Sequence, residues 1–486
     1  MSTFKKTIKI KILTLNDTYE TKYYGRWAQK ADDIIQTETD PTTIFAKICA
    51  GDFLFTSKYS SIIKGHDMIL ASNATKFDAI GIGNHEFDLG QPVLNELALM
   101  SNKPLLCSNL EPDILSSLNL FSNSSWINSG IKFGTVAYVL QQTPDLSSGA
   151  KDLKFLDLNY LFEQQKEFLL SCDIKILSYH DDIKVLNEYF DLYPEKKYLV
   201  DVVVAGHKHV IYAGYIQRDN YKIPVVEMGL NAEGIGYIEL EYNKCFKYLS
   251  NSFVEVIFIP KTYPETSEIA LLTQWVDELS APFFAQPIGL VKDYPLDGLD
   301  NTVRNFESNL ADVISDSYTF TGIEKITAPE GNIFGVNNSG NIRNNSILPI
   351  DYKLNLDDIY TITPFSNNVI ALEIIGRTNV NNLLNYLGTK SFSLRGSGGW
   401  LQISKNLIFD YLNNTFELTT GTQGETDKFY LMLPDFLANG GDGYSELTKY
   451  VQLDIDLPVQ ISISNYIIDY LKGIVSYTNV STRIII

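Results

Sequence analysis

Histidine is scarce in this chain, with five residues in 486, and cysteine is scarcer still, with four. The cysteines (Cys49, Cys107, Cys172 and Cys245) stand far apart with no Cys-x-x-Cys spacing. That excludes a disulfide framework and a cysteine zinc site and fits a reducing compartment. No apolar run approaches the ~20 residues of a membrane-spanning helix. The N-terminal MSTFKKTIKIKILTLND alternates Ile with Lys where a secretory signal carries an unbroken apolar stretch, so it reads as a strand. The C-terminal Arg483-Ile484-Ile485-Ile486 is too short for a lipid-anchor signal. These absences lead us to expect a soluble, intracellular protein with no membrane contact. Positive charge is also in deficit: 39 Lys and Arg face 58 Asp and Glu, a formal net charge of −19. Such a field disfavours nucleic-acid polymers and membrane surfaces, and an anionic substrate needs local positive charge.

What is present is ordinary globular material, 45% hydrophobic and 20% charged, long enough for two or three domains. The first half carries eight short β-rich runs: Ile8–Leu15, Thr43–Ala50, Asp78–Gly83, Lys103–Cys107, Gly134–Leu140, Asp173–Ser178, Val200–Ala205 and Ile223–Met228. Each is followed by polar or Gly-containing residues and then by a more helical stretch, which is an α/β rhythm. Several runs lack polar alternation, as strands covered on both faces do. From Tyr263 to Ser280, Ile269, Leu272, Trp275, Val276 and Leu279 fall at helical spacing, predicting a connecting helix over 263–280. Residues 1–262 form one expected domain. Residues 281–486, richer in Asn, Ser and Gly, form another, with no repeat of solenoid period.

Chemistry-bearing residues collect at the ends of the runs. Asn16-Asp17 follows the first, Gly51-Asp52 the second, and Asn84-His85-Glu86-Phe87-Asp88 the third; Tyr179-His180 and Gly206-His207-Lys208-His209 follow the sixth and seventh. Four of the five histidines belong to this set, leaving only His66 outside. Open α/β sheets place ligands in the crevice at the carboxyl ends of their strands, so these donors are expected to converge on a metal site. A carboxylate can bridge two ions, and neutral imidazoles keep the centre positive enough for a phosphate. His85 stands beside an expected ligand and is suited to give a proton or hydrogen bond to a leaving-group oxygen, with Asp88 orienting it.

The series N-D-T-Y, A-G-D, G-N-H-E-F-D, Y-H and A-G-H-K-H resembles, in order, the motifs of the calcineurin-like metallophosphoesterases. The resemblance implies a four-layer β-sandwich flanked by helices that holds two divalent ions, zinc, manganese or similar. Asp52 would bridge them, Asp17 and His209 would hold the first, and Asn84, His180 and His207 the second. His85 and Asp88 would form the catalytic pair, and a metal-bound hydroxide would be the nucleophile. Two departures stand out. The family's first motif is D-x-H, whereas this chain has Asp17-Thr18-Tyr19. A phenol of ordinary pKa near 10 is a poor ligand, so Tyr19 is expected to point away and leave that position to water; ligation as phenolate, favouring a harder trivalent ion such as iron, is the alternative. His180 is followed by Asp181-Asp182 where the family carries Gly, which bears on loop shape.

The second domain resembles the C-terminal domain of 5′-nucleotidases through Phe436-Leu437-Ala438-Asn439-Gly440-Gly441-Asp442-Gly443-Tyr444, Asn338-Ser339-Gly340-Asn341-Ile342-Arg343 and Thr363-Pro364-Phe365. By that resemblance it is an α/β nucleotide-binding domain. Phe365 and Phe436 would sandwich the base, Asp442 would accept from ribose hydroxyls, Asn338 would contact the nucleoside, and Arg304 and Arg343 would meet phosphate. Asn341 replaces the usual second Gly, which makes the aim of Arg343 less secure, and Ser397-Gly398-Gly399-Trp400 echoes the family as packing. The expected activity is a metal-dependent 5′-nucleotidase, a phosphoric monoester hydrolase of nucleotide catabolism acting on nucleoside 5′-monophosphates in an interdomain cleft. The alternatives are a nucleotide-sugar or 2′,3′-cyclic-nucleotide phosphohydrolase, and a catalytically silent nucleotide-binding protein.

Overall fold

The computed structural model describes residues 7–55, 57–365, 367–478 and 483–485; residues 1–6 and Ile486, at the ends of the terminal segments read above, lie outside them. The chain divides into two units, Met1–Glu278 and Leu279–Ile486, with the helix Ser267–Phe284 running across the boundary. That helix starts after Pro264 and buries Ile269 and Val276, while Trp275 and Leu279 remain about half exposed.

Unit one contains twelve strands among its described residues: β1 Thr7–Leu15, β2 Ile44–Ala50, β3 Ala79–Gly81, β4 Leu105–Leu106, β5 Ser124–Asn128, β6 Ile131–Val139, β7 Ile174–His180, β8 Val202–Gly206, β9 Ile211–Arg218, β10 Tyr221–Met228, β11 Gly234–Asn243 and β12 Tyr248–Phe258. They form two six-stranded sheets, ordered β12-β11-β1-β2-β3-β4 and β5-β6-β7-β8-β10-β9. Each of the eight runs read from the sequence contains or overlaps a strand. Runs β1 to β4 are mutually parallel, as are β6, β7, β8 and β10, so their carboxyl ends share a direction within each sheet.

The continuous apolar runs are explained by burial on both faces. Ile8, Ile10, Ile12, Ile44, Ile48, Ile174, Ile176, Val202 and Val204 interdigitate between the sheets, and separate clusters cover the outer faces beneath helices such as Thr21–Gln36 and Leu158–Leu170. This is the helix–sheet–sheet–helix arrangement expected. It brings strand ends from both sheets to one edge of a rigid core.

Unit two is mixed α/β. Its five-stranded sheet runs Leu401–Ile403, Ile333–Asn338, Lys428–Pro434, Asn368–Ile375, Val451–Pro458, and only the pair Ile333–Asn338 with Lys428–Pro434 is parallel. Helix Asn309–Lys325, buried along most of its length, packs with one core cluster, and helix Arg377–Ser393 packs with the other. Among the described residues no helix is long and apolar enough to cross a membrane.

Ile176 lies at 1% exposure between the two sheets of unit one. Truncation to Ala should cost about 2–5 kcal/mol, by lost burial plus the cavity left behind. The check is a lower urea midpoint at unchanged slope in a wild-type comparison.

Candidate metal centre

Four of the six ligand candidates in unit one are placed by sharp exits from their strands, while His180 ends β7 and Asn84 opens a helical turn. Asp17 (φ 44°), Asp52 (φ 52°), His207 (φ 92°) and His209 (φ 57°) all adopt left-handed backbone conformations that are uncommon for residues with a Cβ and that collect at functional sites. The turns are cross-tied: Asp17 N–H donates to Gly51 O (3.0 Å) and Thr18 N–H to Asp52 O (2.9 Å). Asn16 Nδ2 donates to Asp17 Oδ2 (2.7 Å) and to Gly229 O (3.0 Å).

Asp52 is the hub. Its Oδ1 accepts the His85 N–H at 2.9 Å, which leaves Oδ2 for other partners. His180 Nε2 lies 3.0 Å from Oδ2, and Tyr19 Oη 3.5 Å from it. His207 Nδ1 is 3.1 Å from Asn84 Oδ1, and the ligand atoms of Asp52, His180 and His207 all lie within 4.8 Å of one another. On the other side, His209 Nε2 is 3.3 Å from Asp17 Oδ1.

These residues fit a metal. His180 is fully buried, its Nδ1–H is aligned on Ala50 O (2.8 Å), and its Nε2 makes no hydrogen bond despite standing 3.0 Å from a carboxylate oxygen. Two donor atoms that approach one another without aligning are what a shared third atom between them produces. The floor is bare for the same purpose. A Cβ on Gly83 would stand 2.3 Å from Asp52 Oδ1 and 2.5 Å from His180 Nε2, so only glycine leaves room there. Carboxylate, amide and imidazole donors suit zinc, manganese or a similar ion.

The electrostatics are those of a centre holding opposite charges out of water. Burial opposes ionisation of Asp52, but His180 and then His85 hold its carboxyl well below the usual carboxylate range. Burial works to lower the pKa of His180, yet Asp52 and then Asp17 push it up to about 10. His207, by burial and then by the His180 charge, falls to about 4 and is neutral. His85 Nδ1 pairs with Asp88 Oδ2 at 2.7 Å; burial lowers its pKa, but Asp88 and then Asp52 raise it to about 9. His66 stands apart, bonded to Ile63 O and Glu96.

In unit two Arg304 and the segments 338–343 and 436–444 meet on one loop, 396–400. Gly396 N–H donates to Arg304 O (2.8 Å), Gly340 N–H to Gly398 O (2.7 Å), Ser339 N–H to Trp400 O (2.8 Å), and Tyr444 Oη to Gly399 O (2.7 Å). Asn338 Nδ2 donates to Asp442 Oδ2 (2.9 Å), while Asn338 Oδ1 is buried without a hydrogen-bond partner. Asp442 sits at φ 54° in its Gly-rich turn, and burial raises its carboxyl pKa against Asn338 and Arg343. The Arg343 guanidinium lies over the Phe365 ring, 5.0 Å from its centroid, with Nε on Gly340 O. Phe436 packs its ring where a Cβ on Gly441 would fall. Arg304 lies 3.8 Å from Asp300.

Residues 287–449 match the family model for the 5′-nucleotidase C-terminal domain. A snake venom 5′-nucleotidase of Naja atra is 25% identical over 490 residues, covering 90% of this chain and 89% of the relative. A 5′-nucleotidase of Mus musculus is 26% identical over 478 residues, covering 88% and 80%. The chain is similar to 5′-nucleotidases along most of its length. The crystal structure of a 5′-nucleotidase precursor from Thermus thermophilus superposes with TM-score 0.73 at 19% identity, covering 98% of this chain and 99% of that one, so the fold is shared end to end.

Two readings of the sequence, of Tyr19 and Asn341, change against the structure, and a third, that Asp181-Asp182 bears on loop shape rather than on ligation, agrees with it. Tyr19 does not point away: its ring is walled edge-on by His85 and His209, and its oxygen faces Asp17, Asp52 and His209. Asp181-Asp182 leaves the aim of His180 intact, because Asp182 caps helix Ile183–Leu192. Asn341 keeps ordinary backbone and builds its amide into a polar cluster with Asn337 and Tyr318.

The sequence also concealed Glu86. Fully buried, it accepts from the backbone N–H groups of Gly83 (2.5 Å), Asp52 (2.9 Å), Phe53 (2.7 Å) and Leu54 (2.9 Å), locking the Asp52 turn to the Asn84 turn. The available signal was an acid inside an otherwise assigned G-N-H-E motif. Loop 397–400, read as packing, is the tie between the segments of unit two.

Without an ion, the Asp52–His180 pair stabilises the fold fully between the ordinary carboxyl and imidazole pKa values of 3.8 and 6.5; that contribution is lost as pH rises through about 10 and again in strong acid, where Asp52 takes up a proton. To ligate through Nε2, His180 must give up the proton it holds there. Divalent-ion uptake by chelator-treated protein at pH 7 should therefore release about one proton and tighten up to about tenfold per pH unit through the neutral range. Calorimetry in buffers of different ionisation enthalpy measures both; uptake without proton release contradicts this ligand set.

Proposed function

We propose that this chain is a metal-dependent 5′-nucleotidase that hydrolyses nucleoside 5′-monophosphates to nucleoside and phosphate, using two divalent ions held in unit one and nucleoside contacts supplied by unit two. The observation that supports the reading is the cluster of Asp52, His180 and His207 with Asn84 beside it, and the His209–Asp17 pair nearby, in a chain that also matches the 5′-nucleotidase C-terminal domain.

Bound at these positions, divalent ions supply Lewis-acid polarisation of a phosphoryl oxygen and a water made nucleophilic at neutral pH. The residues supply the rest. His85 donates its Nδ1 hydrogen to Asp88, and that pairing keeps a proton on Nε2 for the phosphoryl or leaving-group oxygen. Arg304 and Arg343 offer planar guanidinium groups to phosphate, which a chain of net charge −19 must provide locally. Phe365 and Phe436 offer apolar faces to a flat base, at about 1–3 kcal/mol per stacked face. Asp442 accepts from ribose hydroxyls, and Asn338 holds Asp442 in place while contacting the nucleoside.

His85→Ala should lower kcat on AMP by roughly 10²–10⁴ with metal content retained, whereas Asp52→Asn should lose both ions. Phe436→Ala should chiefly raise KM. Phosphate release across AMP, UDP-glucose and a 2′,3′-cyclic nucleotide tests the substrate. Preference for either of the latter two, or binding without release under every divalent ion, overturns the 5′-nucleotidase reading.

A further inference from the structure

The helix Arg377–Ser393 of unit two carries an ammonium that is not spent on an ion pair. Lys390, in its last turn, is half-buried, yet among the described residues its Nζ makes no hydrogen bond and has no carboxylate within 4 Å. With 58 acidic residues against 39 basic ones, carboxylates are not in short supply, so this freedom is a matter of placement. What the ammonium meets is the Gly-rich turn 440–443. A Cβ on Gly443 (φ 76°) would stand 3.1 Å from Lys390 Nζ and 3.5 Å from its Cε, so glycine there gives the ammonium its seat. Two positions earlier, a Cβ on Gly441 would fall 2.6 Å from Cε1 and Cζ of the Phe436 ring. Asp442 lies between them. Successive residues of one turn thus bring together a flat apolar ring, a carboxylate and an ammonium.

The same turn has acceptors that the chain does not satisfy. Asn338 Nδ2 donates to Asp442 Oδ2 at 2.9 Å, which leaves the second carboxylate oxygen for another donor, and Asn338 Oδ1, in a residue 4% exposed, has no hydrogen bond. A buried amide oxygen without a donor is costly, which favours a hydroxyl arriving from outside the chain. Burial raises the Asp442 carboxyl pKa, while Asn338, then Arg343 and Lys390 work to lower it, so the ammonium acts on the carboxylate without bonding to it. A ribose 2′,3′-diol matches this set: its hydroxyls carry hydrogens for Asp442 and Asn338 Oδ1 and lone pairs for the ammonium. Resting on the 5′-nucleotidase reading above, we propose that Lys390 is a further substrate-binding residue that donates to the ribose diol while Asp442 accepts from it, and that this pair selects ribonucleotides over nucleotides lacking the diol. A lysine that served only the carbonyls at the end of its helix has no such selectivity.

The test compares AMP with 2′,3′-dideoxy-AMP on full-length protein supplied with manganese, and adenosine with 2′,3′-dideoxyadenosine as binding probes that need no turnover. Wild type is expected to favour AMP by about a hundredfold in kcat/KM, mostly through KM, and to bind adenosine tighter than its dideoxy form. Lys390→Met should raise KM for AMP by about tenfold while moving that for the dideoxy nucleotide little, and Lys390→Arg should restore most of the difference. Circular dichroism confirms folding, and Lys390→Gln replaces the Met variant if that one does not fold. An equal effect of Lys390→Met on both nucleotides, which a helix-end role predicts, overturns the inference, as does an unchanged preference for AMP or a wild type that treats both alike. In these cases phosphate release from AMP leaves the 5′-nucleotidase reading standing. A wild type that releases no phosphate yet binds adenosine over its dideoxy form in a Lys390-dependent way overturns that reading and leaves the Lys390 assignment intact. Neither hydrolysis of AMP nor binding of adenosine overturns both.

Discussion

The centre depends on how the two oxygens of Asp52 are divided. One is committed to the backbone of His85, so the other alone faces His180 on one side and Tyr19 on the other. A buried carboxylate free to rotate would satisfy itself with nearby donors and close the space between the clusters. Glu86 prevents this from below: by gathering the N–H groups of Gly83, Asp52, Phe53 and Leu54, it removes the donors that could compete for Asp52 and ties two strand exits together. Hydrogen bonds between backbone N–H groups and a carboxylate are among the stronger neutral-to-charged contacts, so this brace is stiff.

Stiffness matters because the centre assembles unlike charges without water. His180 and Asp52 neutralise one another when no ion is present, and His207 stays neutral beside them. A cation entering this set replaces a proton rather than joining an already neutral site, which limits the change in buried charge on loading. The same economy applies to the chain as a whole. With a net charge of −19, attraction for any anion has to be local, and four of the five histidines lie where the donors of unit one converge.

Much of this was legible in the amino-acid order because ligands at the ends of parallel strands recur at fixed places in the rhythm of runs. Asp17, Asp52, Asn84, His180, His207 and His209 could be picked out from where each apolar run stops. What stayed hidden depends on tertiary choices. The direction of the Tyr19 ring is set by His85 and His209, sixty-six and one hundred and ninety positions away. The acid of G-N-H-E acts only on backbone, whose N–H groups leave no trace in residue identity. Loop 396–400 in unit two contributes backbone N–H and carbonyl groups rather than side-chain chemistry, so its role as a tie between Arg304, Gly340 and Tyr444 could not be read from composition.

Backbone strain joins the two units in a common logic. Four ligand candidates in unit one and Asp442 in unit two adopt left-handed φ with a full side chain, at a cost of roughly 1–3 kcal/mol each relative to relaxed geometry. Glycine would relieve that cost but would remove the donor. The three strained carboxylates are held by their surroundings: Asp17 by Asn16 and Gly51, Asp52 by Glu86 and His85, and Asp442 by Asn338 between Gly440 and Gly443. Left-handed residues also occur at ordinary turns such as Lys64 and Asn119, but at Asp17, Asp52 and Asp442 the conformation aims a buried or half-buried carboxyl, so the turn and the donor it presents are set by the same contacts.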